Sequence, residues 1–327
     1  MARGSVSTLV VGSPRSGTTL VQRLASELPG VAIPFETHFF TKGLPLILAR
    51  RTFPIGREEL VRGLASYCAL PALEGSGLSA DAILEQLDLP ARSALQVFDA
   101  VVAAACGHAR GYAEKTPAHL FWAARLLGMR KGLRVVGVVR DPRAVVLSRL
   151  EVPWGRSRVD VQAYRWLEAQ QEMARLTKAF PDRVRVWHYE DVVAEPDATR
   201  ADLASFMRVD ASAGAATSEQ GKSTLGLEWE TWKTAADAPI TRDREERWRD
   251  VLDSDQLELI GAICAPMLAR YGYEDAMTSD RALTGRSGAA RETKRRLRAL
   301  EEETARRREE IATTDLGEAD PSAPQLT

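Results

Sequence analysis

The chain has 327 residues, 45% of them hydrophobic and 27% charged, with a formal net charge of −1. That is the composition of a globular protein, long enough for one large α/β domain or two small ones. The charge balance gives no general attraction to nucleic acid or anionic membrane, so any anion site must be a local concentration of cations.

Ser7-Thr8-Leu9-Val10-Val11 reads as a short apolar strand running into Gly12-Ser13-Pro14-Arg15-Ser16-Gly17-Thr18-Thr19, with Leu20 to Leu24 then at helical spacing. Strand, tight polar turn and helix together build an anion cradle. The N–H groups of the turn and first helical turn lack internal partners, and the helix dipole adds positive potential there. The glycines allow close approach, and Ser13, Pro14, Ser16, Gly17, Thr18 and Thr19 form the wall of the cradle. The spacing approaches the nucleotide loop GxxxxGK[ST], but Thr18 stands where the lysine belongs and the cation has moved to Arg15. A guanidinium fork suits bidentate anion contact.

Val31 to Phe35 is expected as a second strand, ending at Glu36-Thr37-His38. Residues 41–111 carry helical patterns broken by Pro54, Pro71, Gly75-Ser76-Gly77 and Pro90, and read as a helical insertion walling a substrate pocket. Leu133 to Val139 is an apolar run of the kind buried on both faces of a parallel sheet. It ends at Arg140-Asp141-Pro142, with Pro142 opening a helix that carries Ser148. Further on are a helix over 160–180 with Asp160 as N-cap, a strand from Val184 to Tyr189, and a helix from Pro196 to Met207. A Trp- and Arg-rich loop over 221–249 and a helix from Asp255 to Tyr271 closed by Gly272 complete residues 1–277.

The C-terminal part reads as a linker over 278–288, a charged helix over 289–311 and a disordered tail over 312–327. Glu292/Arg296, Glu302/Arg306 and Glu303/Arg307 sit four apart in the favourable order. The seam Ala290, Thr293, Leu297, Leu300, Thr304, Arg307 and Ile311 is only partly apolar. That favours a solvated helix over a coiled coil, with a homo-oligomer through this helix as the alternative. The fold class expected is an α/β, P-loop-like three-layer sandwich with a central, mostly parallel sheet. Three scattered cysteines (Cys68, Cys106, Cys264) and four unclustered histidines (His38, His108, His119, His188) argue against disulfides or a metal site, and point to a reducing, cytoplasmic setting. The N-terminal apolar run is too short for a signal peptide, and no stretch is long enough to span a bilayer. Neither nucleic acid nor membrane is an expected partner.

Three clusters stand at strand ends, where open α/β sheets hold ligands. Glu36 beside an anion loop is either a general base for an acceptor hydroxyl, or an N-cap or a salt-bridge partner of Arg15 or Lys115, with His38 a weaker base. Lys115, in Glu114-Lys115-Thr116-Pro117, is either an ordinary surface lysine or a point charge on a leaving group. Arg140 and Ser148 can grip a second phosphate. Two anion grips on neighbouring strand–helix units imply a nucleoside phosphorylated at both ends.

These motifs resemble those of 3′-phosphoadenosine 5′-phosphosulfate (PAPS)-dependent sulfotransferases, in the bacterial group related to protein-tyrosine sulfotransferases. Gly12 to Thr19 resembles the family's 5′-phosphosulfate loop, and Val138 to Ser148 its 3′-phosphate motif. Pro34-Phe35-Glu36-Thr37 resembles the segment of the catalytic glutamate, Glu114 to Pro117 that of the catalytic lysine, and Trp187-His188-Tyr189-Glu190-Asp191 a strand-end element. Arg247-Trp248 and Ala265 to Tyr273 resemble its C-terminal elements. The resemblance spans residues 5–275. It implies PAPS as co-substrate without a required metal, a hydroxyl acceptor, and Glu36, Arg15 and Lys115 as catalytic residues. Donor contacts would come from the loop, Arg140, Ser148 and Tyr189, with Lys233 beside Trp229 to Trp232 closing over the donor. The rival readings are an ATP-dependent small-molecule kinase, which the missing loop lysine disfavours, and a non-catalytic nucleotide-binding scaffold.

Overall fold

The computed structural model describes residues 5–49, 51–107, 111–155, 158–209, 239–273, 283 and 288–319. Strands β1 (Val6–Gly12), β2 (Val31–Ala32), β3 (Gly111–Lys115), β4 (Arg134–Val139) and β5 (Val184–His188) form one sheet in the order β2-β3-β1-β4-β5. Every neighbouring pair is parallel. Between them run α1 (Thr18–Ser26), α2 (Leu44–Leu48), α3 (Arg57–Cys68), α4 (Ala80–Leu84), α5 (Ala94–Cys106), α6 (Ala123–Met129), α7 (Pro142–Leu150) and α8 (Val159–Ala179). After β5 come α9 (Tyr189–Ala194), α10 (Pro196–Met207), α11 (Trp248–Val251), α12 (Ser254–Leu268) and α13 (Gly288–Thr313).

The sheet is buried on both faces because its central strands are apolar at successive positions. Leu9, Val11 and Val135 face one core with helices α5, α6 and α8. Val10, Val136 and Val138 face a second core with α1 and α10. A Cβ on Gly12 would lie 2.6 Å from the Val138 carbonyl oxygen, so only glycine permits β1 and β4 to converge where the loop begins. In a parallel sheet all strands end at the same edge. The turns after β1, β3, β4 and β5 therefore gather there.

Several boundaries differ from the expectation. β2 stops at Ala32, because Pro34 has no N–H to donate to a ladder; its carbonyl instead accepts from Gln22 Nε2 at 2.8 Å. Asp160 does not cap α8. It lies within the first turn, 1% exposed, and its carboxylate meets Arg296 at 2.7 Å. Tyr189 opens α9 rather than ending β5. Pro142 opens α7 as expected, with Asp141 capping through the Arg143 N–H at 2.8 Å.

The charged helix α13 is docked, not solvated. Its small seam residues Ala290, Thr293, Thr304 and Ile311 are buried, and Leu297 and Leu300 pack on the core around α8 and α12. Thr304 donates to Glu168 Oε1 at 2.6 Å, Arg307 pairs with the same carboxylate, and Arg165 meets Glu303 at 2.7 Å. The seam proposed for a second copy is thus occupied by the chain's own α8. Residues 312–319, expected in the disordered tail, are instead held against the insertion. Phe53 N donates to Asp315 Oδ2 at 2.7 Å, Ala94 N to the Leu316 carbonyl at 2.9 Å, and Leu316 is buried. Residues 320–327, nearly all of the expected linker and positions 221–238 of the Trp-rich loop lie outside the described residues.

Candidate active site

The turn after β1 closes on itself, with Ser16 N donating to the Ser13 carbonyl at 3.1 Å. Arg15 takes a left-handed φ of 75° and Gly17 one of 95°. A Cβ on Gly17 would lie 2.3 Å from the Tyr189 ring, so the loop is pressed against an aromatic from the start of α9. Gly17 caps α1 with no side-chain hydrogen bond to its first turn, and the opening N–H groups of a helix lack intrahelical partners. The Ser16 hydroxyl is buried and has no hydrogen-bond partner among the described residues. Orphaned donors at a helix N-terminus fit an anion.

The second grip adjoins the first. The Arg140 guanidinium stacks on the Tyr189 ring at 4.0 Å, on the same aromatic that meets Gly17. Its carbonyl accepts from Trp166 Nε1 at 2.9 Å, its side chain donates to the Arg244 carbonyl, and Glu190 receives the Asp141 N–H at 3.1 Å. Arg15 Nε donates to Ser148 Oγ at 3.0 Å, so one residue of each expected grip is joined to the other. Burial, then the charges of Arg140 and Arg244, lower the Arg15 pKa; burial does the same at Arg140. Both arginines remain cationic at neutral pH. The cost of holding these charges close in a dry site falls when an anion arrives.

On the other side of the loop, Lys115 Nζ lies 2.5 Å from Glu36 Oε1 and 3.5 Å from Thr19 Oγ1. The Lys115 side chain is fully buried, so it is not the surface lysine of the bland reading. His38 Nε2 lies 3.8 Å from Glu36 Oε2, and burial pushes the imidazole down to about 4, which makes it a weak base. Strand alternation turns Glu114 the opposite way, into the core. There it accepts from Thr37 Oγ1 at 2.8 Å and Thr116 Oγ1 at 2.5 Å, and from His119 Nδ1 at 2.8 Å. Phe40 N donates to His119 Nε2 at 3.2 Å, which leaves Nδ1 to face Glu114. Burial pushes the Glu114 carboxyl up, but His119, Thr116 and Thr37 outweigh it and hold the pKa below the usual value. This clamp fixes the turn that carries Glu36.

A cleft of about 1350 Å³ opens over these groups. Pro14, Arg15, Gly17, Thr18, Thr19, Glu36, Arg140, Ser148 and Tyr189 all line it. Ser13 and Ser16 are buried within the loop and do not line the cleft, Lys115 meets Glu36 and Thr19, which do, and Lys233 lies outside the described residues. Sequence reading missed Arg244, whose run of alternating charges resembles an ordinary surface, and Arg149, which follows Ser148 and is buried behind the loop. The sequence signal for Arg149 was a second cation, after Arg143, in a mostly apolar helix.

A family model described as "Sulfotransferase family" matches residues 8–213, which span the loop, Glu36, Lys115 and the Arg140–Ser148 segment. The chain belongs to the sulfotransferase family. It is 26% identical over 277 residues to protein-tyrosine sulfotransferase 1 of Danio rerio, covering 80% of this chain and 71% of the relative. Protein-tyrosine sulfotransferase 2 of Gallus gallus is 26% identical over 278 residues, covering 80% and 68%. Among solved structures, the sulfotransferase domain from the curacin biosynthetic pathway superposes with a TM-score of 0.56 at 18% identity, over 84% of this chain and 99% of that one. The sulfotransferase domain of the Synechococcus PCC 7002 olefin synthase gives 0.51 at 18% identity, over 84% and 96%. At that identity the match speaks for the fold, an α/β, P-loop-like sandwich.

The protein is therefore a sulfotransferase, and the family implies a PAPS-type co-substrate and a hydroxyl acceptor. The kinase and scaffold readings are set aside. The expected cytoplasmic location is also corrected. The curated relatives are Golgi membrane-anchored enzymes, so unpaired cysteines do not establish a cytoplasmic address. No helix among the described residues is long and apolar enough to cross a membrane.

Proposed function

We propose that the enzyme moves a sulfuryl group from PAPS to an acceptor hydroxyl by in-line displacement, with Glu36 as the base. The donor supplies the sulfuryl group and leaves as adenosine 3′,5′-bisphosphate. The bond from the acceptor oxygen to sulfur forms as the bond from sulfur to the phosphate oxygen breaks, and the acceptor proton goes to Glu36. The loop amides, with Pro14, Ser16, Gly17, Thr18 and Thr19, would hold the 5′-phosphate. Arg140 and Ser148 would hold the 3′-phosphate and so disfavour ATP, and Tyr189 would support both grips. The outlying donor residue of this reading is Lys233.

The Lys115–Glu36 pair couples the two halves of the reaction. While Glu36 is ionised it neutralises Lys115. Once Glu36 takes the acceptor proton, the ammonium loses its counter-charge just as negative charge grows on the departing phosphate. Arg15 adds a fixed cation at the loop. Such preorganised charge is the largest lever available for a loose transfer transition state. No step in this scheme needs a metal.

In this reading residues 1–277 are the transferase domain, and 41–111 supply the acceptor wall, where Lys42, Pro71, Ala72 and Glu74 line the cleft. Residues 278–288 link it to helix 289–311, an appended brace. The observation that carries the proposal is the convergence of the loop, the Arg140–Ser148 pair and Glu36 on one cleft. Calorimetry with adenosine 3′,5′-bisphosphate and with ATP tests it. Preference for the bisphosphate is expected, and preference for ATP would overturn it.

A further inference from the structure

Behind the anion loop lies a cation that the proposed chemistry does not use. Arg149 sits on α7 next to Ser148 and is 8% exposed. Its Nη1 donates to Ser13 Oγ at 3.3 Å, and its Nε is buried with no hydrogen-bond partner. Among the described residues it forms no ion pair. The carboxylate whose charge favours its protonation, Glu168, is already engaged by Thr304, Arg307 and Arg165, and the Arg165 charge opposes Arg149. Burial, then Arg165, pushes the guanidinium down to about 10. It is still charged at neutral pH.

An uncompensated buried cation is costly unless a counter-charge is supplied. The side chain of Arg149 is aimed at the loop, where Ser13 is fully buried and the Ser16 hydroxyl is orphaned. The loop lacks the lysine of a nucleotide-hydrolysing loop, with Thr18 in its place. Consecutive residues of α7 thus hold the loop at two points, Ser148 at Arg15 and Arg149 at Ser13.

We infer that Arg149 is a positioning residue for the 5′-phosphate of the donor, replacing the missing loop lysine from behind through Ser13. This rests on the proposed donor reading and adds a specific consequence. Arg149 hydrogen-bonds Ser13 of the loop, whereas the 3′-phosphate is assigned to Arg140 and Ser148. Removal of Arg149 should therefore weaken only ligands that carry a 5′-phosphate.

The test is calorimetry on the full chain with adenosine 3′,5′-bisphosphate and with adenosine 3′-phosphate, for wild type, Arg149→Met, Arg149→Lys and Ser13→Ala. The expected result is a loss of ~10-fold or more in affinity for the bisphosphate in Arg149→Met, with adenosine 3′-phosphate changed by less than about twofold. Arg149→Lys, which keeps the charge, should recover part of the difference. Equal weakening of both nucleotides, or of neither, would overturn the inference, because a purely structural role does not discriminate between them. Should Arg149→Met fail to fold, Ser13→Ala and Arg149→Lys carry the same comparison, with the same selective loss expected in smaller measure. A wild-type protein that ignores the bisphosphate would overturn the donor reading itself, and this inference with it.

Discussion

Lys115 Nζ and Glu36 Oε1 meet at 2.5 Å, joining the end of β3 to the turn that follows β2. Replacing either residue removes a charge partner of the other in a nearly dry setting. The pair is what makes Glu36 both a base and a counter-ion.

Glu36→Gln keeps the shape of the side chain but cannot accept a proton. We expect turnover to fall by ~10²-fold or more, with binding of adenosine 3′,5′-bisphosphate retained. Steady-state kinetics paired with calorimetry measure both, and unchanged turnover would remove Glu36 from the base role.

Gly17→Ala should cripple the cradle. The residue would need a φ near 95°, and its methyl group would collide with Tyr189 at 2.3 Å. A strain of about 1–3 kcal/mol at this point moves the loop, and bisphosphate affinity should drop by at least ~10-fold. Full affinity in the variant would mean that the loop is not the anion site.

Glu114→Gln should lower stability by about 1–3 kcal/mol, since Thr116, Thr37 and His119 would face an amide instead of a carboxylate. Urea unfolding measures this. Turnover should fall as well, because Thr37 adjoins Glu36, and an unchanged unfolding midpoint would rule out the clamp.

Acid should destabilise the protein in two stages. His38 has its folded pKa lowered to about 4, so its contribution is present above the unfolded value near 6.5. That contribution is lost as pH falls from 6.5 to about 4, because only the unfolded chain then binds the proton. Glu114, also lowered, contributes above its unfolded pKa and loses that contribution at lower pH, through its folded value. His38→Gln should flatten the first stage only, as read from unfolding free energies at pH 7, 5.5 and 4.5. A wild-type slope in the variant would contradict the assignment.

Arg296→Ala with Arg307→Ala should cost about 3 kcal/mol or more, because Asp160 and Glu168 are each 1% exposed and would lose cationic partners. A chain ending at Met277 should retain sulfuryl transfer with reduced thermal stability if α13 is a brace. Loss of transfer in a folded truncation would make the helix part of the catalytic unit.

The loop, the doubly buried β4 and the Pro142 helix start were legible because each rests on local chemistry: an apolar run, a glycine needed where two backbones converge, a proline at N1. The strand Gly111–Lys115 was not marked by its hydrophobicity, since Tyr112 and Ala113 precede two ionisable residues that are themselves buried. Its charges are tolerated because Glu36, His119, Thr37 and Thr116 lie beside them in the folded chain.

What the amino-acid order determined alone was therefore the type of cradle, the parallel sheet and the candidates Arg15, Glu36, Lys115, Arg140 and Ser148. Tertiary structure decided their relations: Arg15 tied to Ser148 across 133 residues, Lys115 neutralised by Glu36 across 79, and α13 held on Glu168 across 139. The reason is physical. A propensity or a spacing acts over one turn or one strand, whereas the partner of a buried charge is chosen by whichever distant side chain the packed sheet brings within hydrogen-bond reach.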